Sequence, residues 1–335
     1  MYVTRKSPKV SILVPVCNVD KFLEKCLDSL CHQTLDDIEI ICLDDGSTDY
    51  SPQIISSFAK KDNRIKVITK TNSGYGDTLN KGLSLAQGEY VGIVESDDFV
   101  KPCMFENLYH IAKLHDVDIV KSRFLYYWDN QDPVISQKMV NIPYDTLIIP
   151  KDYPEVFTIA AIWSAIYKRS FLQKTGIRFL TTPGASYQDS SFGFKVLAKA
   201  SNIYFTSDAY LYYRQDNMYA STKATSWDKI MYSIGEIEEI GRFLDIDINL
   251  KSKLMVIYNT LKLKVALSNI ERSQPRDRGK LFLYIQPMIK DVYVSKKYYN
   301  YLFRTIEKIQ LFFIANNCYF GIDKIFFLKR IKQYF

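Results

Sequence analysis

Residues 10–18 read VSILVPVCN, and residues 38–49 read IEIICLDDGSTD. Each stretch begins with apolar, largely β-branched side chains and ends in polar residues, which is typical of a buried strand followed by a loop. From Asp20 to Leu30, between the two stretches, apolar residues recur at the spacing of one helix face. This strand–helix–strand pattern predicts two parallel strands, because a helix that crosses over the sheet connects them.

The same alternation continues along the chain. The spacing predicts a helix over 51–60, a strand over 65–69, a helix over 76–86 and a strand over 90–94. We therefore expect an α/β fold class, with a Rossmann-like, mostly parallel sheet that has helices on both faces. Ligands of such sheets bind at the carboxyl ends of the strands, so the residues after each strand are the first candidates for a site.

The residues that follow the predicted strands are polar, and many are acidic. They are Asn18 after the first strand, Asp44 and Asp45 after the second, Asn72 and Gly74 after the third, and Glu95, Ser96, Asp97 and Asp98 after the fourth. Clustered carboxylates repel one another unless a cation or hydrogen-bond donors compensate their charge. Mg²⁺ and Mn²⁺ favour oxygen ligands and commonly use one or two carboxylates together with phosphate oxygens. The pattern therefore indicates a site for a divalent metal with a diphosphate.

Each of these motifs also has an ordinary structural explanation. Asp-Gly-Ser at 45–47 is typical of a turn before a helix, and the acidic run at 95–98 is compatible with a solvated loop. The glycines near residue 74 fit neither the G-x-G-x-x-G spacing nor the P-loop spacing, which disfavours ordinary Rossmann cofactors and P-loop nucleotides. Acidic groups nevertheless follow two strands of one sheet. This combination favours a functional site over a turn or a solvated loop.

Charge divides the 335-residue chain into two unlike parts. Residues 1–250 hold 27 basic and 32 acidic side chains, whereas residues 251–335 hold 17 basic and 5 acidic ones. Because 47% of the residues are hydrophobic, the chain can bury a core, which excludes a disordered or fibrous protein. The six cysteines form no C-x-x-C pair, and the sequence has neither a run of 18 apolar residues nor a secretory signal at its start. We therefore expect reduced, buried thiols in a cytoplasmic protein that does not span a membrane.

Seven short motifs stand in an order that resembles the family 2 glycosyltransferases of the GT-A fold. They are VPVCN at 14–18, L-x-SL-x-x-QT at 27–34, DDGSTD at 44–49, N-x-G at 72–74, N-x-G at 80–82, A-x-GEY at 86–90 and ESDD at 95–98. The resemblance is dense over residues 9–105 and continues more sparsely to about residue 222. It implies an inverting enzyme that transfers a hexose or N-acetylhexosamine from a nucleotide-diphosphate sugar, with UDP as the expected nucleotide, to a hydroxyl of a surface glycan.

The resemblance also implies roles for individual residues. Those assigned to the nucleotide sugar are Pro15, Asn18, Asp44 and Asp45, around the base and ribose, together with Asn72, Gly74, Ser96 and Arg214. Asp97 matches the main metal ligand of the family. Glu95 stands where a second Asp is usual and reaches one methylene farther. The implied cofactor is Mn²⁺ or Mg²⁺.

Asp189 is the candidate catalytic base. The sequence Tyr187-Gln188-Asp189 resembles the acidic pair of the family, with Gln188 in place of the first acid. A base at this position would take the proton of the acceptor hydroxyl. The alternative is an Asp that only interacts with the dipole of the helix it begins. Gln188 and Trp163 are assigned to the acceptor side, although a Trp in an apolar run is also typical of a core.

The resemblance divides the chain into a catalytic domain over 1–224 and a helical, basic and aromatic region over 225–335. Within the first, we expect 1–105 to bind the nucleotide sugar and 106–224 to bind a glycan or lipid-linked glycan acceptor. Helical spacing of apolar residues recurs in the segments 227–245, 250–271, 280–291, 297–316 and 319–333. Two partners stay open for residues 251–335, an anionic membrane surface at the inner face of the cell membrane and another protein surface by packing or self-association. Nucleic acid is not expected, since no recognition fold accompanies the charge.

Two other functions compete with glycosyl transfer. A nucleotidyltransferase that makes the sugar nucleotide would carry a Gly- and Lys-rich loop near the N-terminus, and the sequence has none. A degenerate, non-catalytic GT-A subunit that acts as a binding or scaffolding partner stays open, because Glu95 and Gln188 depart from the family pattern.

Overall fold

The computed structural model describes residues 7–137, 142–159, 161–185, 187–218, 220 and 226–318. By its internal contacts the chain divides into two compact units, Met1–Ala220 and Ser221–Phe335. In their described parts, the first unit is built around a sheet with helices and the second unit is helical.

One mixed sheet lies at the centre of the first unit. Its strands are β1 (Val10–Val16), β2 (Ile38–Asp44), β3 (Ile65–Thr69), β4 (Tyr90–Ile93), β5 (Phe99–Val100), β6 (Ile119–Trp128), β7 (Gln131–Ile135), β8 (Thr146–Ile148), β9 (Ala165–Lys168) and β10 (Ile203–Arg214). They are ordered β3-β2-β1-β4-β9-β6-β10-β5, with β7 beside β6 and β8 beside β10. The longest ladders are parallel, and the shorter strands β5, β7, β8 and β9 join antiparallel. The sheet is thus mostly parallel, as predicted.

Helices connect the strands of the first unit. They are α1 (Asp20–Cys31), α2 (Ser51–Ala59), α3 (Tyr75–Leu85), α4 (Met104–His115), α5 (Arg169–Thr175) and α6 (Gln188–Lys199). Every element predicted between residues 10 and 94 forms within one residue of its expected bounds. The helix α1 shows why, since its buried residues Leu23, Cys26, Leu27 and Leu30 are spaced by three and four and lie on one face.

The strand β1 sets the position of the site. Its register with β2 runs to the pair Val16–Asp44, whereas its pairing with β4 stops at Leu13–Ile93. Pro15 lacks an N–H and lies beyond the last paired residue on the β4 side, which explains how a central strand accommodates a proline. The chain order also reverses here, because β2 and β3 lie on one side of β1 and β4 lies on the other. Open α/β sheets bind ligands beyond the carboxyl ends of their strands at such a reversal.

The second unit consists, in its described residues, of α7 (Trp227–Asp245), α8 (Ile248–Arg272), α9 (Pro275–Ser295) and α10 (Thr305–Ala315). Asp247 caps α8, because its side chain accepts a hydrogen bond from the Leu250 N–H at 3.0 Å. All four helices contribute to one apolar core, which includes Ile230, Leu263, Ile285 and Leu311.

Two helical segments of the second unit differ from their predicted bounds. The segment expected over 280–291 begins earlier, at Pro275, because proline suits the first positions of a helix. The segment expected over 297–316 is not one helix. Lys296 ends α9 with a φ of 53°, and α10 begins only at Thr305. The segment expected over 319–333 lies outside the described residues.

The six cysteines all lie within the described residues, and none forms a disulfide. Cys26 and Cys42 are buried as predicted. The prediction of buried thiols is wrong for Cys17 and Cys318, which are exposed because they follow the ends of β1 and α10 instead of lying inside an element. In the described part of the chain, no helix has both the length and the apolar character that crossing a membrane requires.

Candidate active site

Asp45 joins the loop after β2 to the loop after β3. Its carboxylate is 4% exposed and accepts hydrogen bonds from the backbone N–H groups of Ser73 and Gly74, both at 2.9 Å. It also pairs with Lys70. Burial opposes ionisation of Asp45, but the bonds from Lys70 and the two N–H groups outweigh burial and lower the pKa of the carboxyl. Asn72 completes the junction, since its Nδ2 donates to the Asp45 carbonyl at 2.9 Å.

Gly74 is where this junction meets a second loop. Its φ of 97° favours glycine, and a Cβ at this position would lie 2.8 Å from the Thr182 carbonyl oxygen. Gln188, which is 1% exposed, donates from Nε2 to the carbonyl oxygens of Thr182 and Gly184 at 3.1 and 3.0 Å. The predicted acceptor-side residue Gln188 therefore holds the loop that covers Gly74.

Asn18 and Asp44 shape the loop at 44–49. Asn18 adopts a φ of 52°, and its Oδ1 accepts a hydrogen bond from the Thr48 N–H at 2.8 Å. Asp44 is 1% exposed, and its Oδ1 accepts from the Ser47 N–H at 2.9 Å. Pro15 is buried within β1. The residues predicted for the base and ribose therefore lie around one loop, near the carboxyl ends of β1 and β2.

The acidic run after β4 folds into a turn, in which the Asp98 N–H donates to the Glu95 carbonyl at 3.0 Å. Tyr75, at the start of α3, donates from its hydroxyl to Glu95 Oε1 at 2.5 Å. Asn217 donates from Nδ2 to Asp97 Oδ2 at 2.8 Å. Ser96 is buried between the two acids. The turn thus presents two carboxylates, each held by a neutral hydrogen-bond donor.

Asp189 lies in the first turn of α6, near this acidic turn. Burial, together with the charges of Asp97 and Asp189, raises the pKa of Glu95 to about 8, although the hydrogen bond from Tyr75 acts in the opposite direction. Burial raises the pKa of Tyr75, with Glu95 as the next cause, and the pKa of Tyr167 on β9, and the charge of Asp189 acts in the same direction on both. The candidate base and the candidate metal ligands are therefore electrostatic neighbours, although they are far apart in the sequence.

The side chain of Arg214 is held by contacts within the protein. Its guanidinium is 5% exposed and donates to Oδ1 of Asp129 at 2.9 Å and of Asp216 at 3.0 Å. Its Nε donates to the Asp97 carbonyl at 3.1 Å, and its backbone N–H donates to Asp98 Oδ1 at 2.8 Å. These contacts support the back of the acidic turn, so a diphosphate would have to compete with two carboxylates for this guanidinium.

Trp163 is 8% exposed. Its ring packs against Phe124 at 4.7 Å and against Tyr213 at 4.9 Å between centroids. These contacts favour the core explanation that its sequence context also allowed, because a direct sugar contact would require the ring to be uncovered.

Residues 11–176 match the family model described as Glycosyl transferase family 2. The chain carries a family 2 glycosyltransferase domain. Its acidic turn and its Asp45 junction both lie inside the matched range, whereas Asp189 lies after it.

Curated relatives of this glycosyltransferase domain are bacterial. The chain is 33% identical over 215 residues to the uncharacterized glycosyltransferase EpsJ of Bacillus subtilis, an alignment that covers 62% of each protein. It is 28% identical over 325 residues to the poly(ribitol-phosphate) beta-glucosyltransferase of Bacillus spizizenii, which covers 94% of this chain and 50% of that protein. The chain therefore spans less than two thirds of the length of these relatives.

Solved structures share the fold of the whole chain. S. aureus TarS 1-349 in complex with UDP superposes with a TM-score of 0.70 at 21% identity, covering 97% of this chain and 92% of that one. The complex of the same protein with UDP-GlcNAc also gives a TM-score of 0.70, at 20% identity. The GT-A sheet followed by a helical region, as the sequence resemblance implied, is confirmed at the level of fold.

Several residues that contact the candidate site were not predicted from the sequence. Lys70 directly follows β3, so the rule of inspecting strand ends could have found it. Tyr75 directly follows the N-x-G motif at 72–74, but no sequence pattern assigned it a role. Asn217 and Lys121 have no motif around them, and only the folded chain brings them to Asp97 and toward Asp189.

Asp45→Asn is expected to lower the free energy of unfolding by about 3 kcal/mol at pH 7, because it leaves Lys70 without its buried partner and turns an amide toward two N–H donors. Since the pKa of Asp45 is lowered in the folded state, its contribution is present above the usual Asp pKa and is lost as pH falls. Urea unfolding at pH 7 and at acidic pH should therefore show the difference shrinking below about pH 4.

Asp77→Asn is the matched control, since Asp77 also pairs with Lys70, at 3.2 Å, but its side chain is 44% exposed. It should cost about 1 kcal/mol or less. Equal losses from the two substitutions would contradict the role of Asp45 as the junction.

Proposed function

We propose that this protein is an inverting glycosyltransferase that transfers a hexose or N-acetylhexosamine from a UDP-sugar to a hydroxyl of a glycan or lipid-linked glycan. The product belongs to a surface polysaccharide, a lipooligosaccharide or a glycoprotein glycan. The first unit carries the catalysis, with residues 1–105 on the donor side and 106–224 on the acceptor side.

One observation carries this proposal. The charges of Asp189, from α6, and of Asp97 both act on Glu95 after the end of β4, within a unit that contains a family 2 glycosyltransferase domain. A transferase needs both a group that receives a proton from the acceptor and a place where the leaving diphosphate is stabilised. The TarS complexes with UDP and UDP-GlcNAc support the choice of UDP, since TarS has the same fold.

The acidic turn fits a divalent cation when the donor contributes to its coordination. In the described residues, no group of three or more His, Cys, Asp or Glu side chains is arranged to hold a metal. Burial is the largest cause of the raised pKa of Glu95, and repulsion by the charges of Asp97 and Asp189 adds to it, so a cation at this turn would offset the repulsion. The carboxylates of Glu95 and Asp97 would hold Mn²⁺ or Mg²⁺ together with diphosphate oxygens, which suits ions that prefer oxygen ligands. When bound, the ion supplies positive charge that stabilises the leaving diphosphate.

The reaction would proceed by direct displacement at the anomeric carbon. The oxygen of the acceptor hydroxyl forms a bond to this carbon, and its proton passes to a carboxylate oxygen of Asp189. The bond between the carbon and the diphosphate oxygen breaks, and its electron pair leaves with UDP. Tyr75 and Asn217 keep Glu95 and Asp97 in place through their hydrogen bonds. Attack from the face opposite the leaving group inverts the anomeric centre.

Purified protein with Mn²⁺ is expected to release UDP from at least one UDP-sugar in the presence of a glycan acceptor. Asp189→Asn should lower transfer by about 100-fold or more, because the amide cannot accept the proton, while the affinity for UDP stays within about twofold. Coupled detection of UDP measures turnover, and calorimetry measures nucleotide binding.

Asp208→Asn serves as the matched control, since this carboxylate belongs to β10 and bonds to the Tyr210 hydroxyl. It should retain transfer. A wild-type protein that binds nucleotide sugars but turns over none of them with varied acceptors would instead support the degenerate, scaffolding subunit. Full activity of Asp189→Asn would remove Asp189 from the role of base.

For the second unit we propose that the partner is an anionic membrane surface, which would make the protein peripheral at the inner face of the cell membrane. The helix α9 exposes Leu283 and Val294, at 71% and 68%. Lys290, Lys296 and Lys297 are exposed on the same helix or directly after it. Apolar side chains beside exposed lysines suit anionic lipid headgroups, and the excess of basic residues over 251–335 acts in the same direction.

The full-length protein is expected to sediment with vesicles that contain phosphatidylglycerol and not with phosphatidylcholine vesicles, and added salt should weaken the binding. The double substitution Leu283→Ser with Val294→Ser should weaken it by about tenfold, because two apolar contacts are lost. Leu114→Ser is the control, since Leu114 is 78% exposed on α4 of the first unit. A protein that binds neither vesicle, but whose oligomeric state changes with the double substitution, would replace the membrane with self-association.

A further inference from the structure

We propose that Lys121 is a positioning residue for the acceptor, because it anchors the segment Ala161–Ser164, which Tyr167 connects to the helix that carries Asp189. This inference rests on the proposed function, since it assigns to Lys121 an effect on how the acceptor hydroxyl is placed for attack. None of the family motifs includes this residue.

The amine of Lys121 is fastened to one short segment. Lys121 lies in β6 opposite Ala165 of β9, and its side chain is buried at 6% exposure. Its Nζ donates to the Ala161 carbonyl oxygen and, at 3.2 Å, to Ser164 Oγ. Both acceptors are neutral oxygens of the turn that precedes β9. The lysine therefore closes this turn against the sheet.

Two further side chains hold the same segment. Ser122 donates from Oγ to the Ser164 carbonyl at 3.3 Å, and Tyr167 donates from its hydroxyl to the Ile162 carbonyl at 2.8 Å. The Tyr167 ring also packs edge to face against Phe192 of α6, with centroids 5.8 Å apart. Since α6 carries Asp189 in its first turn, the segment and the candidate base share one supporting framework.

Electrostatics connects Lys121 to Asp189 directly. Burial lowers the pKa of Lys121 to about 7, and Asp189 acts in the opposite direction by favouring the charged amine. The charge of Asp189 also acts on Tyr75, Tyr167 and Glu95, which are two phenols and an acid. Unlike these three groups, Lys121 can carry a positive charge.

A purely structural role does not account for this side chain. A buried cation costs solvation free energy, and an apolar residue of similar volume commonly serves a strand interior equally well or better. The amine of Lys121 is bonded to the segment Ala161–Ser164, which belongs to the proposed acceptor half, and it is attracted to Asp189. It would therefore affect how the acceptor meets the base. It keeps the turn at a set distance from Asp189, and small displacements of reacting groups are costly in rate.

The experiment compares full-length wild type with Lys121→Met, which retains the chain length and removes the charge and the hydrogen bonds. We expect kcat for transfer to the acceptor to fall by about tenfold or more, with the KM for the donor within about twofold of wild type. The ratio of donor hydrolysis to transfer should rise, because the donor site stays intact while the acceptor is misplaced. Tyr167→Phe, which frees the same segment without removing a charge, should lower kcat by less than about threefold.

Lys121→Gln keeps a donor for the Ala161 carbonyl, and it provides the measurement if Lys121→Met fails to fold, as checked by thermal unfolding. Wild-type values of kcat and acceptor KM in a folded Lys121 variant would overturn the inference while leaving the proposed function in place. A parallel rise in donor and acceptor KM, or equal losses from Tyr167→Phe and Lys121→Met, would also overturn it. If wild type itself transfers no sugar from any donor, the proposed function fails, and the role of Lys121 fails with it.

Discussion

The carboxylate of Asp45 is the interaction on which the rest of the site depends. It accepts hydrogen bonds from two backbone N–H groups of the loop after β3 and forms an ion pair with Lys70. One side chain therefore connects the ends of two neighbouring strands. The second of those N–H groups belongs to Gly74, directly before α3, and α3 begins with Tyr75. The Asp45 junction therefore positions the start of α3. With it, the junction positions the Tyr75 hydroxyl, which donates a hydrogen bond to Glu95. A buried carboxylate with charged and backbone donors is a strong local constraint because leaving any of these groups unpaired is costly.

A second constraint is the crowding of acids beside that junction. Burial and, after it, the charges of Asp97 and Asp189 raise the pKa of Glu95, and a fold shaped by stability alone would separate these acids. Neutral donors hold the acids of the turn in place without cancelling their charge, as Tyr75 and Asn217 do. Under the proposed function, a divalent metal held by Glu95 and Asp97 would supply positive charge to these acids, and Lys121 would act on Asp189. Such an arrangement is typical of sites where ligands complete the electrostatics.

Local patterns in the sequence were sufficient to predict many of the secondary-structure elements. Continuous apolar runs and helical spacing predicted the elements between residues 10 and 94, since each of these strands and helices buries one continuous or periodic set of side chains. The turn and loop residues Asn18, Asp44, Asp45, Asn72 and Gly74 were found because they follow strands that must end at one edge. The contacts of Arg214 and Trp163 were not predicted. Nothing in the local sequence of Arg214 indicates its pairing with Asp129 and Asp216, and nothing near Trp163 indicates a cluster of aromatic rings. The break between α9 and α10 was expected at 292–296 but lies later, after Ser295 and before Thr305, because apolar residues keep a helical period across this stretch.

By itself the sequence determined the α/β order of elements, the edge of the sheet at which polar groups collect, and the acidic residues that follow β2 and β4. Only the tertiary structure decided which of those groups meet. The antiparallel insertion of β9 between β4 and β6 and the placement of α6 bring Asp189 toward Glu95 and Lys121 toward Asp189, and no spacing in the chain predicts either. The physical reason is that helices and strands follow from local periodicity, whereas contacts between distant side chains depend on how whole elements pack against a shared core.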